Sequence, residues 1–273
     1  MLGFSGVVTQ EQHLYAATLS SIEIADTRYM VRFARSVREI DAALKLRFEV
    51  FNLELDEGLA SSFRTGRDRD EFDATCQHLI AIDKTCGKVI GTYRLRTMEM
   101  AGSADGFYSS AEFSLNNLPQ ALLNQSIELG RACIAQNHRN RQVLCLLWKA
   151  LAQFAASKRK RFLFGCCSLS SQEMAEGNRL FDQFLKSDQM HPTAFVPVMP
   201  GYECRTDGSN DTWPIEVKLP RLFRTYLGIG AKVCSPPAID RRFKTIDFLV
   251  MLDLQTMDSR TRKLLLGVEG AIS

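Results

Sequence analysis

Four short runs carry the residue types that acid–base and carboxylate chemistry needs. They are Leu46-Arg47-Phe48-Glu49-Val50-Phe51, Asp70-Glu71-Phe72-Asp73, Gly91-Thr92-Tyr93-Arg94-Leu95 and Glu128-Leu129-Gly130-Arg131. Taken singly, each has a plain structural explanation. An Arg at a helix end is a solvated charge, two Asp on a loop suit a turn, and a Glu and an Arg on one strand suit a salt bridge. Glu128 is the most telling, because its neighbours Ile127, Leu129 and Cys133 are apolar. Burial raises a carboxyl pKa and a nearby Arg lowers it, a tension that suits a base working near neutral pH. Residues three apart on a regular strand face opposite ways. Glu128 and Arg131 therefore need a bulge near Gly130 to share a face.

The surrounding pattern predicts the elements that must hold these groups. Tyr29 to Ala34 alternates as a strand, and Ser36 with Glu39 reads as a capping box. Ile40, Leu44, Arg47 and Phe51 follow at helical spacing to about Asn52. Residues 56–72 read as a long loop and candidate lid. A hairpin follows over 76–82 and 88–96, then a connection with a short helix near 117–124. A strand over 126–135, a helix over 142–157, a strand over 161–168 and a helix over 172–185 come next. Residues 187–218 are irregular, 219–228 read as a short helix, and a strand pair closes the pattern over 232–239 and 245–253. This order predicts a single α+β domain over 29–255 with a mixed sheet, a loosely attached arm over 1–28 and a tail over 256–273.

Composition excludes several classes. The 273 residues are 45% hydrophobic and 24% charged, which fits a soluble globular chain. With 34 Lys and Arg against 31 Asp and Glu, the net charge is +3, too small an excess for a general nucleic-acid binder. No run approaches the roughly 18 apolar residues of a membrane span, and the N-terminus lacks signal-peptide features. A cytoplasmic address is the expectation. The eight Cys form no C-x-x-C pair and the four His form no ligand spacing, so neither a disulfide framework nor a metal site is expected. Cys166 and Cys167 read as buried, inert thiols. No G-x-G-x-x-G follows a strand, which argues against a dinucleotide cofactor.

Read in order, the motifs resemble a known family. They are D-x-F-D-x-x-x-x-H-L over 70–79, G-T-Y-R-L over 91–95, F-Y-S-x-x-E-F over 107–113 and E-L-G-R-x-C over 128–133. Further matches run through L-L-W-K over 146–149 and L-F-G-C-x-S-L over 163–169, to the segment 226–240. Together they cover roughly residues 30–254. The set is similar to the ornithine-lipid N-acyltransferases, relatives of the N-acyl-homoserine-lactone synthases and long-chain N-acyl amino acid synthases. The resemblance implies a GNAT-like fold, with a mostly antiparallel central sheet flanked by helices on both faces. It implies transfer of a 3-hydroxyacyl group from acyl carrier protein to the α-amine of ornithine, without a cofactor.

On that reading Glu128 is the base and Arg131 its catalytic partner. Arg47, Phe51, Asp70, Asp73 and Arg94 bind substrate or shape its mouth. The turn over 137–142 has no Gly, which favours a carrier-protein donor over free CoA. Arg139, Arg141, Lys158, Arg159, Lys160 and Arg161 would dock the acidic carrier, or contact anionic lipid at the inner membrane face. Two rivals stand beside this reading: a synthase acylating another amine such as glycine, and a non-catalytic carrier or lipid-binding protein.

Overall fold

The structure is a computed structural model that describes residues 21–205 and 217–266. Its strands are β1 (Glu23–Ala25), β2 (Tyr29–Phe33), β3 (Gln77–Asp83), β4 (Lys88–Thr97), β5 (Ser126–Ile134), β6 (Phe162–Leu169), β7 (Lys232–Val233), β8 (Ala238–Asp240) and β9 (Thr245–Asp253). They form one sheet in the order β1-β2-β3-β4-β5-β6-β9-β7, with β8 also on β9. Every pairing is antiparallel except β5 with β6.

The two faces of the sheet follow from alternation along β3. Leu79 and Ala81 enter the main core, which is shared with helix α2 (Arg141–Ser157). Ile80 and Ile82 point the other way, onto Ala43 of helix α1 (Val37–Arg47). Successive strand residues face opposite sides, so α1 and α2 cover opposite faces. Helices α3 (Met174–Lys186) and α4 (Arg221–Gly228) place Leu180, Phe184 and Phe223 in the main core.

Ser36 caps α1 by accepting from Glu39 N–H. The Glu39 side chain does not complete the expected box. The bidentate Arg32 guanidinium turns its carboxylate so that it accepts from Arg35 N–H, one residue before the cap. Beyond Arg47 the helix widens into a π-helix over Phe48–Glu54, a rare form that favours functional sites.

Residues 23–25 of the expected arm pair with β2, while residues 1–20 lie outside the described residues. In the expected tail, helix α5 (Ser259–Leu266) buries Leu265 in the main core. Among the described residues, no helix is long and apolar enough to cross a membrane.

Two features open the sheet at its centre. The β5–β6 ladder spans only Ser126–Glu128 against Phe162–Phe164, after which the strands diverge. On β5, the step from Gly130 to Cys133 faces the shorter step from Arg94 to Thr92 on β4. That extra residue is a bulge, and Arg131 sits in it at φ +51°.

Candidate active site

The gap between β5 and β6 leads into a cleft of about 340 Å³. One part of its wall is apolar: Trp148, Leu163, Phe223, Tyr226, Val250 and Leu252. Arg94, Arg96, Glu128, Arg131, Asp240 and Asp247 supply charge to its wall. Phe51, Leu55 and Glu57, from the π-helix and the start of the loop after it, complete the rim.

Glu128 is buried on β5. Its Oε2 accepts from Tyr108 N–H, and its Oε1 accepts from Ser109 N–H and the Ser109 hydroxyl, at 2.8, 2.8 and 2.6 Å. The glutamate thus anchors the segment 107–113. A carboxylate has about four lone-pair sites, so these three bonds leave one to accept from a water or a substrate.

Arg131 turns away from Glu128. The bulge brings both residues to the cleft, but no ion pair joins them. Arg131 pairs with Asp70 at 3.0 Å and Asp68 at 3.3 Å. Its guanidinium also lies 4.2 Å from the Phe243 ring centroid and 4.9 Å from that of Tyr108. Arg94 pairs with Asp70 at 2.5 Å and Asp73 at 3.0 Å. Arg47 pairs with Asp68 at 2.9 Å and Asp73 at 2.7 Å. Three arginines and three aspartates therefore close a buried network. Burial pushes the Asp70 and Asp73 carboxyls up, but Arg94 with Arg131, and Arg47 with Arg94, outweigh it and hold both below the usual range.

Arg47 is fully buried, and neither Asp70 nor Asp73 lines the cleft. The substrate mouth expected of these three is instead a support behind the wall. They reach the cleft only through Arg94 and Arg131. Asp68, the sixth member, does not stand out in the sequence because its loop shows no periodicity.

The expected lid is largely tied down. Arg67 makes a bidentate pair with Asp41 of α1, and Asp68 N–H donates to Leu44 O. Of the residues 56–72, only Glu57 lines the cleft.

The six basic residues expected to form one dock are divided. Arg139 and Arg141 stand at the start of α2, and Lys158 to Arg161 follow its end, about 25 Å away for a helix of this length. Lys160 is buried on Glu99 and on Asn124 O, Arg161 makes a bidentate pair with Asp253, and Arg139 pairs with Glu54. Arg141, Lys158 and Arg159 remain exposed.

A third set of acids escaped the sequence reading. Glu112, Asp240 and Asp247 are buried to within 4%. Burial pushes the Glu112 and Asp247 carboxyls up, and Glu112 is raised further by the charges of Asp247 and Asp240. One atom each from Glu112, Asp247 and Cys166 lie within 4.8 Å of one another, a spacing that a cation could also bridge. Burial also lifts the Cys166 and Cys167 thiols well above their ordinary range, so neither is a ready thiolate.

The raised pair fixes the sign of a pH effect. Folded Glu112 and Asp247 keep protons that the unfolded chain releases near pH 4. Their contribution is complete below that pH and is lost as pH rises through the raised folded values. Each retained proton gives a slope of about 1.4 kcal/mol per pH unit. Glu112→Gln is expected to flatten the fall in melting temperature between about pH 5 and pH 8, and an unchanged slope in calorimetry would remove the pair as its source. Asp70 and Asp73 have the opposite sign, since their contribution is lost only as pH falls below about 4.

Comparison with known proteins decides the family. An acetyltransferase (GNAT) domain model matches residues 46–149. An L-ornithine N(alpha)-acyltransferase of Agrobacterium fabrum is 31% identical over 245 residues, covering 84% of this chain and 82% of that protein. The chain belongs to the L-ornithine N(alpha)-acyltransferase family. A member from Rhodobacter capsulatus is 29% identical over 88% of this chain and 95% of its own length. Among solved structures, the acyl-homoserine-lactone synthase LasI covers 88% of this chain at 13% identity with a TM-score of 0.47. TofI, solved with an inhibitor and MTA, gives 16% and 0.48.

Family membership makes the chain an acyltransferase with a GNAT-like fold. The family motifs fall on the cleft and its supports. D-x-F-D supplies Asp70 and Asp73 of the network. F-Y-S-x-x-E-F supplies the donors that hold Glu128, and Glu112.

Proposed function

We propose that this acyltransferase moves a 3-hydroxyacyl group from acyl carrier protein to the α-amine of ornithine, giving a lyso-ornithine lipid. The observation that carries the reading is the cleft itself. It joins an apolar slot suited to a fatty chain to a charged end suited to an amino acid, with Glu128 on its wall. The relatives' names supply the acceptor.

The chemistry follows from what the groups can do. An α-ammonium has no lone pair, so Glu128 takes one proton, directly or through a water at its remaining lone pair. The amine then attacks the thioester carbonyl. Backbone N–H groups released from pairing beyond the end of the β5–β6 ladder serve as the oxyanion donors. Collapse of the tetrahedral intermediate breaks the C–S bond, and the departing thiolate takes a proton back through Glu128 or solvent. Arg94 and Arg131 hold the carboxylate end of the acceptor by charge.

The donor side also has a direction. The strands diverge toward the end of β5, which leads to the start of α2. Arg139 and Arg141 stand at that open end, and Lys158 to Arg161 at the closed one. Carrier docking therefore falls to exposed Arg141, with Arg139 beside it held by Glu54. Exposed Leu55 at the cleft, Leu53 on the π-helix and Phe63, which packs on Phe48 of that helix, suit peripheral contact of a cytoplasmic enzyme with the inner membrane face.

The test is direct. Purified protein, 3-hydroxyacyl carrier protein and a panel of amino acids are incubated, and products are identified by mass spectrometry. An N-acyl ornithine is the expected product. Acylation of glycine but not ornithine would move the reading to another amine, and no product with any amine would leave a binding protein.

A further inference from the structure

We propose, resting on the function just given, that Asp247, Asp240 and Glu112 form a subsite for the side-chain ammonium of the acceptor. The subsite selects a diamino acid and directs acylation to its α-nitrogen.

The contrast with the other buried acids points there. The side chains of Asp68, Asp70, Asp73 and Asp83 are each shielded from solvent and each paired with an arginine. Among the described residues, Glu112, Asp240 and Asp247 form no ion pair, although each is at most 4% exposed. Asp240 spends Oδ1 on the N–H groups of Arg242 and Phe243. Glu112 Oε2 and Asp247 Oδ1 have no hydrogen-bond partner, although the Asp247 carboxyl also interacts with the Ser168 and Thr245 hydroxyls. Two such acids side by side can share a proton, but burying them costs more than burying amides of the same shape. A cation entering from the cleft satisfies both oxygens, and Asp240 and Asp247 line that cleft.

Placement relative to Glu128 supports the same assignment. Glu112 ends the segment whose backbone holds Glu128. Asp247 stands on β9 opposite Ser168 on β6, one register step past Cys167. Glu112, Asp247 and Glu128 all lie near enough to Cys166 to raise its thiol by charge. The proposed base and the acid set thus share one small neighbourhood, as the two nitrogens of one short diamino acid require.

The chemistry accounts for the choice of nitrogen. An ammonium held among carboxylates keeps its proton and has no lone pair to attack with. On entry it displaces the proton shared by Glu112 and Asp247, which passes to solvent. The nitrogen near Glu128 is the one that is deprotonated and acylated.

Norvaline is ornithine without the side-chain amine, which makes it the probe. The preference is the ratio of kcat/KM for ornithine to that for norvaline, both measured on one protein sample so that partial unfolding cancels. Wild type is expected to prefer ornithine strongly. Asp247→Asn and Glu112→Gln should each lower the ratio by about 10- to 100-fold, the value of a charge-assisted hydrogen bond. Tandem mass spectrometry should show a side-chain-acylated isomer rising in the variants.

A wild-type ratio under about threefold overturns the subsite even if neither variant folds, and so does an unchanged ratio in folded variants. Stoichiometric uptake of a divalent metal that Asp247→Asn abolishes, with no amino acid preference, also overturns it. If wild type acylates neither amino acid, the function itself fails; if it acylates both equally, only the subsite does.

Discussion

Glu128→Gln is expected to lower kcat by about 100-fold or more, the usual worth of a positioned general base. The KM for acyl carrier protein should change little, because nothing on the docking surface moves. Stability should also fall. The amide nitrogen of Gln must face one of the donors that now point at the carboxylate, and its least harmful position opposes Tyr108 N–H. One lost backbone bond costs about 1–3 kcal/mol. Assaying well below the melting temperature separates the two effects. Turnover within threefold of wild type, on protein shown to be folded, would remove Glu128 as the base.

Arg47→Met should produce the largest loss of stability. The guanidinium is fully buried and serves Asp68 and Asp73. Methionine fills a similar volume but leaves Asp68 with Arg131 alone and Asp73 with Arg94 alone. Removing one partner from a buried ionic group typically costs about 3–5 kcal/mol. Activity should fall as well, through displacement of Arg94 and Arg131 and not through lost substrate contact. Chemical denaturation measures the first effect. A change below about 1 kcal/mol would show that the network tolerates a missing corner.

The parts of this architecture that could be read in the sequence are those with a period. Tyr29 to Phe33, the hairpin over 77–97 and the β5-α2-β6 unit alternate or repeat at helical spacing, and all stand close to their expected places. The stretch from Met98 to Pro119 carries only a four-residue helix and short 3-10 turns, which have no apolar stripe to detect. Its function was equally hidden, since Tyr108 and Ser109 reach Glu128 through backbone N–H groups that any residue owns.

The partners of Arg47 and Arg94 were half legible. Asp70 and Asp73 sit in a recognisable motif, whereas Asp68 is one acid among several in a charged loop. Asp247 did leave a signal. It is an acid inside the apolar run of β9, and a buried charge without a neighbouring cation asks for a partner. The relation of Glu128 to Arg131 hinged on a bulge whose strain at Arg131 no periodicity reveals.

The three-rung β5–β6 ladder has a mechanical consequence. The strands on either side, β1 to β5 and β6 to β9, act as two plates fastened along a short seam at one end. Arg161 and Phe162 rivet that end through their N–H bonds to Gln125 O. Beyond Glu128 no ladder rung joins the plates, and side-chain ties such as the Tyr93–Tyr226 hydrogen bond and the Lys244–Asp56 ion pair span the gap, so its width is set by a few replaceable side chains while the fastened end keeps the reacting groups in register.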